Sequence, residues 1–221
     1  MRARIASGRG RYSDPWHPYE LTSTRLADIL AETGFEVAVD AVDEAMTRLD
    51  GVDLLVVDAG DPWRGSQADA LPAEASVDGL DRALERGTGV LALHAAVSSL
   101  RDYPAWAPAT GAVWIPGLSW HPPAGTTTVH VLASPAGPDP LAGLSDFDVV
   151  DERYLRLQRL GRSTVVAEFT HDGVRYPAAW VRTHGRSRIA VDVLGHGLPS
   201  YAAPGHRTLV QRLARWAAGA H

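Results

Sequence analysis

Four histidines are the residues best suited to chemistry in this sequence. His94 follows the apolar run 89–93 and precedes small residues that are typical of a helix start. His17, His121 and His196 lie in predicted loops or just after segments typical of strands. Because imidazole titrates near neutral pH and binds divalent metals, a group of histidines suits either proton transfer or metal binding.

These histidines are far apart in the sequence, and a parallel sheet is the element that would bring them together. Parallel strands end at a common edge, where open α/β sheets bind their ligands. We therefore expect His17, His94 and His196 to meet there. The alternative is that His94 only closes a strand and bonds to the backbone. The other histidines are interpreted as surface or structural: His130, His171, His184, His206 and His221.

Carboxylates and aromatic side chains could complete such a site. Asp14 lies beside Trp16, and Glu152 lies two residues before Tyr154. Trp16 and Trp120 each precede a histidine, and indole faces stack well on the apolar faces of sugar rings. This pattern favours a polyol or sugar site, although tryptophans that only pack loops together would give the same pattern. Further available carboxylates are Asp58 and Asp61, which follow the predicted strand 52–57, and Asp151.

Apolar runs and helical spacing alternate along the first hundred residues. We predict strands at 2–6, 35–39, 52–57 and 89–93, and later at 126–132, 165–169, 178–183 and 187–194. We predict helices from Pro18 to about residue 33, at 43–49, from an N-cap at Ser76 to residue 86, over one or two turns within 103–110, and at about 204–218. Segments 60–75 and 112–125 are predicted loops. The β-α-β order predicts an α/β protein with a doubly wound, mainly parallel sheet, a late antiparallel extension and one domain over residues 1–221.

The composition excludes several kinds of chemistry. The 221 residues include no cysteine, so disulfides, thiolate metal sites and cysteine nucleophiles are excluded. Lysine is also absent, which excludes Schiff-base catalysis. The net charge of −5 gives no reason to expect nucleic acid or an anionic membrane as a partner. With no apolar segment of signal-peptide or membrane-spanning character, we expect a cytoplasmic protein of bacterial type.

Five segments, in order along nearly the whole chain, resemble the ThuA-like, or trehalose utilisation, family. They read GVLALHAA at 89–96, GA and WHP within 111–122, DPLAGL and DERY within 139–154, AAW, GRSR and LGH within 178–196, and WAAG at 216–219. The sequence departs from the family pattern at Asp139, where a histidine is usual, at Asp192, which interrupts an aromatic strand, and at Ser187, which replaces a glycine.

The resemblance implies a three-layer, flavodoxin-like fold within the class I glutamine amidotransferase-like superfamily. It also implies that His94 stands where amidotransferases of that superfamily carry their cysteine nucleophile. Imidazole cannot form the thioester of glutaminase chemistry, so we do not expect glutamine hydrolysis. Family members are linked to the use of trehalose and related sugars, including keto glycosides.

The leading hypothesis is an enzyme acting on a trehalose-related or keto-sugar derivative by histidine acid–base chemistry, as a lyase, isomerase or hydrolase. The expected catalytic residues are His94, His196, His17 and Glu152. The expected substrate contacts are Trp16, Trp120, His121, Asp14 and Tyr154. The expected partner is therefore a small-molecule sugar.

Two alternatives stay open. One is a non-catalytic carbohydrate-binding or complex-forming protein, since a fold does not fix a function. The other is a metal-dependent hydrolase in which the histidines hold a divalent metal, with His17, His94, His121 and His196 as ligands. Apart from such a metal, no cofactor is predicted, and a homodimer is left open.

Overall fold

The computed structural model describes residues 1–64, 70–133 and 139–220, with a nine-stranded mixed sheet at its centre. Part of the predicted loop 60–75 and the whole of His221 lie outside the described residues. In chain order the described strands are β1 (Arg2–Ser7), β2 (Glu36–Ala41), β3 (Leu54–Asp58), β4 (Gly89–Leu93), β5 (Ala112–Val113), β6 (Gly125–Val131), β7 (Phe147–Asp151), β8 (Gln158–Arg159), β9 (Thr164–His171), β10 (Val174–His184) and β11 (Ser187–Asp192).

One half of the sheet is parallel, in the order β2-β1-β3-β4-β11. β3 and β4 are buried along their whole length, which explains their continuous apolar sequences. Their carboxyl ends lie at one edge, together with those of β1 and β11. The prediction of a mainly parallel α/β sheet is therefore confirmed for this half.

Helices pack on the sheet in two groups, which gives the predicted three layers. One group contains α1 (Tyr19–Ala31), α5 (Leu198–Ala202) and α6 (Pro204–Ala217), which contact one another. A second group contains α2 (Val42–Thr47) and α3 (Glu74–Arg86), which are also in contact. The short helix α4 (Trp106–Thr110) packs against β10 and β11. The amphipathic sequences of α3 and α6 bury their apolar faces, including Leu80 and Leu209.

The other half of the sheet is antiparallel, in the order β10-β9-β6-β7 next to β11. This is the predicted late extension, but it contains a strand that the sequence analysis missed. β7 has acidic residues at Asp148 and Asp151 among its apolar ones, so its alternation is weak. The separate pair of β5 and β8 was also not predicted.

The predicted starts of α1 and α3 are wrong by one and three residues, and one α-helix was missed. Pro18 is the residue before α1 rather than its first residue. Ser76 is not an N-cap: α3 begins at Glu74, and the Ser76 hydroxyl donates to the carbonyl of Asp43 at 2.8 Å. The missed helix α5 is only five residues long, too short to give a periodic apolar pattern.

Among the described residues, we find no helix with both the length and the apolar character needed to cross a bilayer.

Candidate functional site

Three of the four histidines and one carboxylate lie together at the carboxyl edge of the parallel strands. His94 directly follows β4, His196 lies four residues beyond β11, and His17 lies between β1 and α1. Glu152 directly follows β7, and so comes from the antiparallel half. One potential ligand atom from each of these four side chains lies within 4.8 Å of the other three. We call these four residues the histidine cluster.

The three imidazole rings of the cluster are in direct contact. The ring centroids of His17 and His94 are 5.1 Å apart, those of His17 and His196 are 4.8 Å apart, and those of His94 and His196 are 5.4 Å apart. All three pairs meet edge to face. Imidazoles from three separate segments therefore occupy one small volume, as the sheet topology predicts.

Two of these imidazoles are oriented by a hydrogen bond from one ring nitrogen. The Nδ1–H of His94 donates to the carbonyl of Val193 at 2.9 Å. The Nδ1–H of His17 donates to the carboxylate of Asp14 at 2.8 Å, and Tyr19 also donates to this carboxylate. The hydrogen bond to the backbone that was the alternative role of His94 is therefore present, but it uses only Nδ1 of the ring. The Nε2 atoms of both rings are left for the cluster.

Three ring nitrogens in the cluster are buried and lack a hydrogen-bond partner among the described residues. They are Nε2 of His17, Nε2 of His94 and Nδ1 of His196. Buried polar atoms are nearly always paired, so an exception calls for an explanation such as an ion or a bound water. Here three exceptions occur at a single point.

Glu152 is the acidic member of the cluster and lies beside three histidines. Its Oε2 is 3.6 Å from Nε2 of His94 and 3.3 Å from Nδ1 of His196. Its Oε1 is 3.4 Å from Nδ1 of His121, which lies nearer the solvent. His121 is not among the four residues whose ligand atoms converge. The carboxylate therefore connects the buried imidazoles to the more exposed one.

Charge interactions within the cluster oppose the effect of burial. Burial alone would raise the pKa of Glu152, but the neighbouring histidines hold this pKa below its usual value. Burial alone would lower the pKa of His94, but Glu152 and Asp151 raise it. The pKa of His196 is lowered by burial and by the charge of His94. The cluster thus holds one carboxylate and at least one neutral imidazole at neutral pH.

The backbone of His94 has an unusual conformation. Its φ angle is +44°, in the left-handed region that residues other than glycine seldom adopt. Such a residue persists only where surrounding packing imposes it, and strained residues concentrate at functional sites. The turn aims the imidazole inward at the end of β4, where the side chain is 2% exposed.

A buried polar network holds the turn that carries His196. Asp151 accepts hydrogen bonds from the backbone N–H of Gly195 at 2.6 Å and of His196 at 3.1 Å, and from the hydroxyl of Ser200. Ser200 in turn contacts Nδ1 of His206 at 2.9 Å. Nε2 of His206 lies 2.9 Å from the carboxylate of Asp192. His206 therefore has the structural role predicted for it, as a member of this network. Asp151 positions the turn that carries His196.

Asp58 is another carboxylate at a strand end, but it lies buried beneath the site. It accepts hydrogen bonds from the hydroxyls of Thr22 and Ser23, each at 2.8 Å. Burial raises its pKa to about 6, although these hydrogen bonds oppose the change. Asp58 therefore supports α1 from inside the protein and does not contact the cavity.

A cavity of about 320 Å³ opens above the cluster. Seven of the residues predicted from the sequence line it: Asp14, Trp16, His17, His121, Glu152, Tyr154 and His196. His94 lies below them, with its ring centroid 4.3 Å from that of Tyr154. A volume near 300 Å³ is at the lower end of the range for small-molecule pockets.

The structure places Trp120 outside this cavity, where its ring contacts His171 at 5.7 Å between centroids. Trp114 lines the cavity instead, with its ring centroid 4.7 Å from that of Tyr154. Trp114 was not predicted for the site, because it does not precede a histidine as Trp16 and Trp120 do. Asp61, one of the further carboxylates noted from the sequence, also lines the cavity. Three more lining residues were not anticipated: Arg64, Ala95 and Ser98.

The cluster has the donor set of a transition-metal centre. Three imidazole nitrogens and one carboxylate oxygen are ligands that suit zinc, manganese, nickel or iron. A carboxylate or a backbone carbonyl on the second nitrogen of a ligating histidine is the usual arrangement around such metals, and His17 and His94 have it. These four residues therefore fit a divalent metal in chemistry and in orientation.

Comparisons with solved structures identify the same fold in other proteins. A ThuA-like protein of Parabacteroides merdae superposes with a TM-score of 0.80 at 19% identity, covering 100% of this chain and 91% of that one. A ThuA-like protein of Bacteroides uniformis gives a TM-score of 0.72 at 15% identity, covering 98% and 91%. A cytoplasmic protein of Salmonella typhimurium gives 0.62 at 12% identity, covering 98% of both chains. At these identities the likeness concerns the fold alone.

The sequence itself gives the family. No curated protein matches the chain. The sequence model described as ThuA, trehalose utilisation, matches residues 13–217, which include every member of the histidine cluster. The chain therefore belongs to the trehalose utilisation (ThuA) family.

Proposed function

We propose that the protein is an enzyme that acts on a small sugar derivative and that the histidine cluster holds a divalent transition metal at its reactive centre. The observation that carries this proposal is the convergence of three buried, unpaired imidazole nitrogens on one carboxylate. Each unpaired buried polar atom costs roughly 1–3 kcal/mol. One bound metal would pair all three nitrogens at once.

The family supports a sugar as the substrate class, and so does the cavity. Trp16, Trp114 and Tyr154 give it aromatic walls, on which the apolar face of a pyranose could stack. Arg64 and Asp61 add hydrogen-bonding groups that suit ring hydroxyls. The volume of about 320 Å³ fits a single sugar unit better than a long oligosaccharide.

The residues of the chain would divide the work by position. His17, His94, His196 and Glu152 would hold the metal, which supplies Lewis-acid polarisation of a substrate carbonyl or hydroxyl. Asp14 would fix the ring of His17. His121 lies 3.4 Å from Glu152 but outside the four-residue cluster, so its imidazole is available to accept or donate a proton at the cavity.

A second candidate is acid–base catalysis without a metal, and the contact between His94 and Glu152 favours it. At 3.6 Å, Nε2 of His94 and Oε2 of Glu152 need only a small movement to share a proton. Such a pair could remove a proton next to the carbonyl of a keto sugar, as in elimination or isomerisation. Glutaminase activity is not proposed, because position 94 is a histidine and the chain has no cysteine.

Metal content is the experiment that separates the two candidates. Protein purified without a histidine tag is analysed by elemental mass spectrometry, and metal-stripped protein is titrated with Zn²⁺, Mn²⁺ and Ni²⁺ by calorimetry. We expect about one metal per chain. Metal binding should be tenfold or more weaker in Glu152→Gln, and the metal affinity of Asp14→Asn should fall 10–100-fold. The matched control is Asp146→Asn, because Asp146 bonds to the exposed His130 in the same way that Asp14 bonds to His17.

Activity is then assayed on trehalose-derived and other keto glycosides, with metal-loaded and metal-stripped protein. Turnover that requires the metal supports the first candidate. Absence of any metal, no binding in the titrations, and full turnover by the stripped protein would overturn it in favour of the second.

A further inference from the structure

A second concave surface carries four arginines and lies at the other end of the central strands. It is a groove of about 960 Å³ lined by Arg159, Arg162, Arg182 and Arg188, with the hydroxyls of Ser163, Thr164 and Thr183 between them. Arg188 is the second residue of β11 and lies opposite Thr183 of β10, whereas His196 follows the far end of β11. We call this surface the arginine groove.

The arginines of the groove lack acidic partners. Within residues 1–64, 70–133 and 139–220, no carboxylate forms an ion pair with any of the four, although arginines elsewhere on the chain pair with Asp or Glu. The whole chain has a net charge of −5, so this local excess of positive charge is not a reflection of overall composition. Four positive charges in one concave surface would attract an anion.

Two of these guanidinium groups are held in place by the backbone. Arg182 lies across Gly111, where a side chain would collide with it, and donates to the carbonyl of Leu160 at 2.6 Å. Arg188 donates to the carbonyl of Trp216 at 3.3 Å and lies over its indole ring. Fixed donors lose little conformational entropy when a ligand binds. Burial and the positive charge of the nearby Arg159 also lower the pKa of Arg182.

We propose that the arginine groove binds a small molecule that carries a phosphoryl group. Guanidinium groups present paired N–H donors that match phosphate oxygens, and the three hydroxyls can complete the contacts. The groove is much larger than a phosphate ion, and Trp216 is among its lining residues, so it has room for an organic remainder. This inference does not depend on the proposed function, because the groove shares no residue with the cavity above the histidine cluster.

The test is a calorimetric titration of the full chain with pyrophosphate, glucose 6-phosphate and citrate at constant ionic strength. Pyrophosphate and glucose 6-phosphate carry phosphoryl groups, whereas citrate carries only carboxylates. We expect saturable binding of the phosphoryl compounds, weakened about tenfold or more by Arg182→Gln. Arg162→Gln should also weaken it, and this exposed side chain can be replaced without disturbing the fold. The control is Arg175→Gln, an exposed arginine paired with Glu168.

Any one of four results would overturn the proposal. One is no saturable binding by the wild-type protein. Another is binding as strong as that of the wild-type protein in both Arg162→Gln and Arg182→Gln, once circular dichroism shows that both variants are folded. The third is citrate binding as strong as that of both phosphoryl compounds. Tight binding of a DNA duplex without binding of the phosphoryl compounds would also reject a small-molecule site.

Discussion

His94 belongs to the histidine cluster and has a backbone conformation that its residue type does not favour. Its side chain reaches the cluster only because the chain turns sharply after β4, with φ at +44°. A left-handed conformation costs an ordinary residue roughly 1–2 kcal/mol, whereas glycine adopts it freely. The site therefore depends on packing around residues 93–97 to hold the turn.

This conformation leads to a prediction about two substitutions that both remove the imidazole. His94→Gly should unfold at a urea concentration at least as high as His94→Ala, because glycine relieves roughly 1 kcal/mol of backbone strain. Both variants should lose about 10²–10⁴-fold in turnover if His94 acts in proton transfer. Urea denaturation followed by circular dichroism measures the first effect, and a turnover assay measures the second.

The control for this comparison is Leu93, where φ is −115°. The free energy of unfolding of Leu93→Gly should be lower than that of Leu93→Ala, by roughly 0.5–1 kcal/mol. If His94→Ala is clearly more stable than His94→Gly, residue 94 does not adopt the left-handed conformation in solution.

The residue types of the site could be predicted better than the directions of its loop side chains. His17, His94 and His196 follow segments predicted to end at one edge, so parallel pairing is enough to bring them together. Glu152 follows β7, a strand that was not predicted. Trp120 is different, because its direction depends on the bridge between residues 120 and 155 in a segment with no periodic pattern. Local sequence carries no signal for that contact, and Trp114 lines the cavity instead.

At the scale of elements, the parallel half of the fold could be predicted and the antiparallel half only in part. Strands such as β3 and β4 are continuous apolar runs, because both their faces are buried. β7 has one face toward solvent and carries Asp148 and Asp151, so its sequence resembles a loop. Its acidic end is nonetheless essential to the site, since Asp151 and Glu152 are neighbours there.

The contact between α5 and α6 gives a prediction about pH. The Ser200 hydroxyl donates to Asp151, so Nδ1 of His206 must donate to Ser200, while Nε2 donates to Asp192. Both ring nitrogens then carry protons, and the imidazole is positively charged. Burial alone would lower the pKa of His206, but Asp192 and Asp151 raise it above 6.5. The ring of Tyr201 stacks on it from α5.

Because the folded-state pKa of His206 is raised, its contribution to stability is complete below about pH 6.5 and declines as pH rises through the folded value. His206→Gln should therefore lower the free energy of unfolding by about 3 kcal/mol near pH 6, where it leaves Asp192 buried without its partner. The difference from wild type should shrink at higher pH. Urea denaturation of both proteins from pH 5.5 to 9.5 measures it, and a difference that grows with pH would contradict the charged state.

At the scale of the whole molecule, the histidine cluster joins segments that are distant in the chain. His17 precedes α1, and His94 follows β4. Glu152 and His196 come from opposite halves of the sheet. A ligand that binds all four would hold the folded state together across both halves. The unfolded chain cannot present these side chains at one point, so binding energy becomes folding stability.

We therefore expect the proposed metal to stabilise the protein against heat. At a free metal concentration 100 times the Kd, the gain is about 2.7 kcal/mol, which for a chain of this size raises the Tm by about 5–10 °C. Differential scanning calorimetry with and without Zn²⁺ or Mn²⁺ measures it. Glu152→Gln, in which binding is expected to be tenfold or more weaker, should lose about half of the gain or more. The control is Glu168→Gln, because the Glu168 side chain is about as exposed as that of Glu152, 13% against 12%, and is not part of the cluster. An unchanged wild-type Tm at saturating concentrations of each metal, or an equal gain in both variants, would show that no metal bridges the two halves of the sheet.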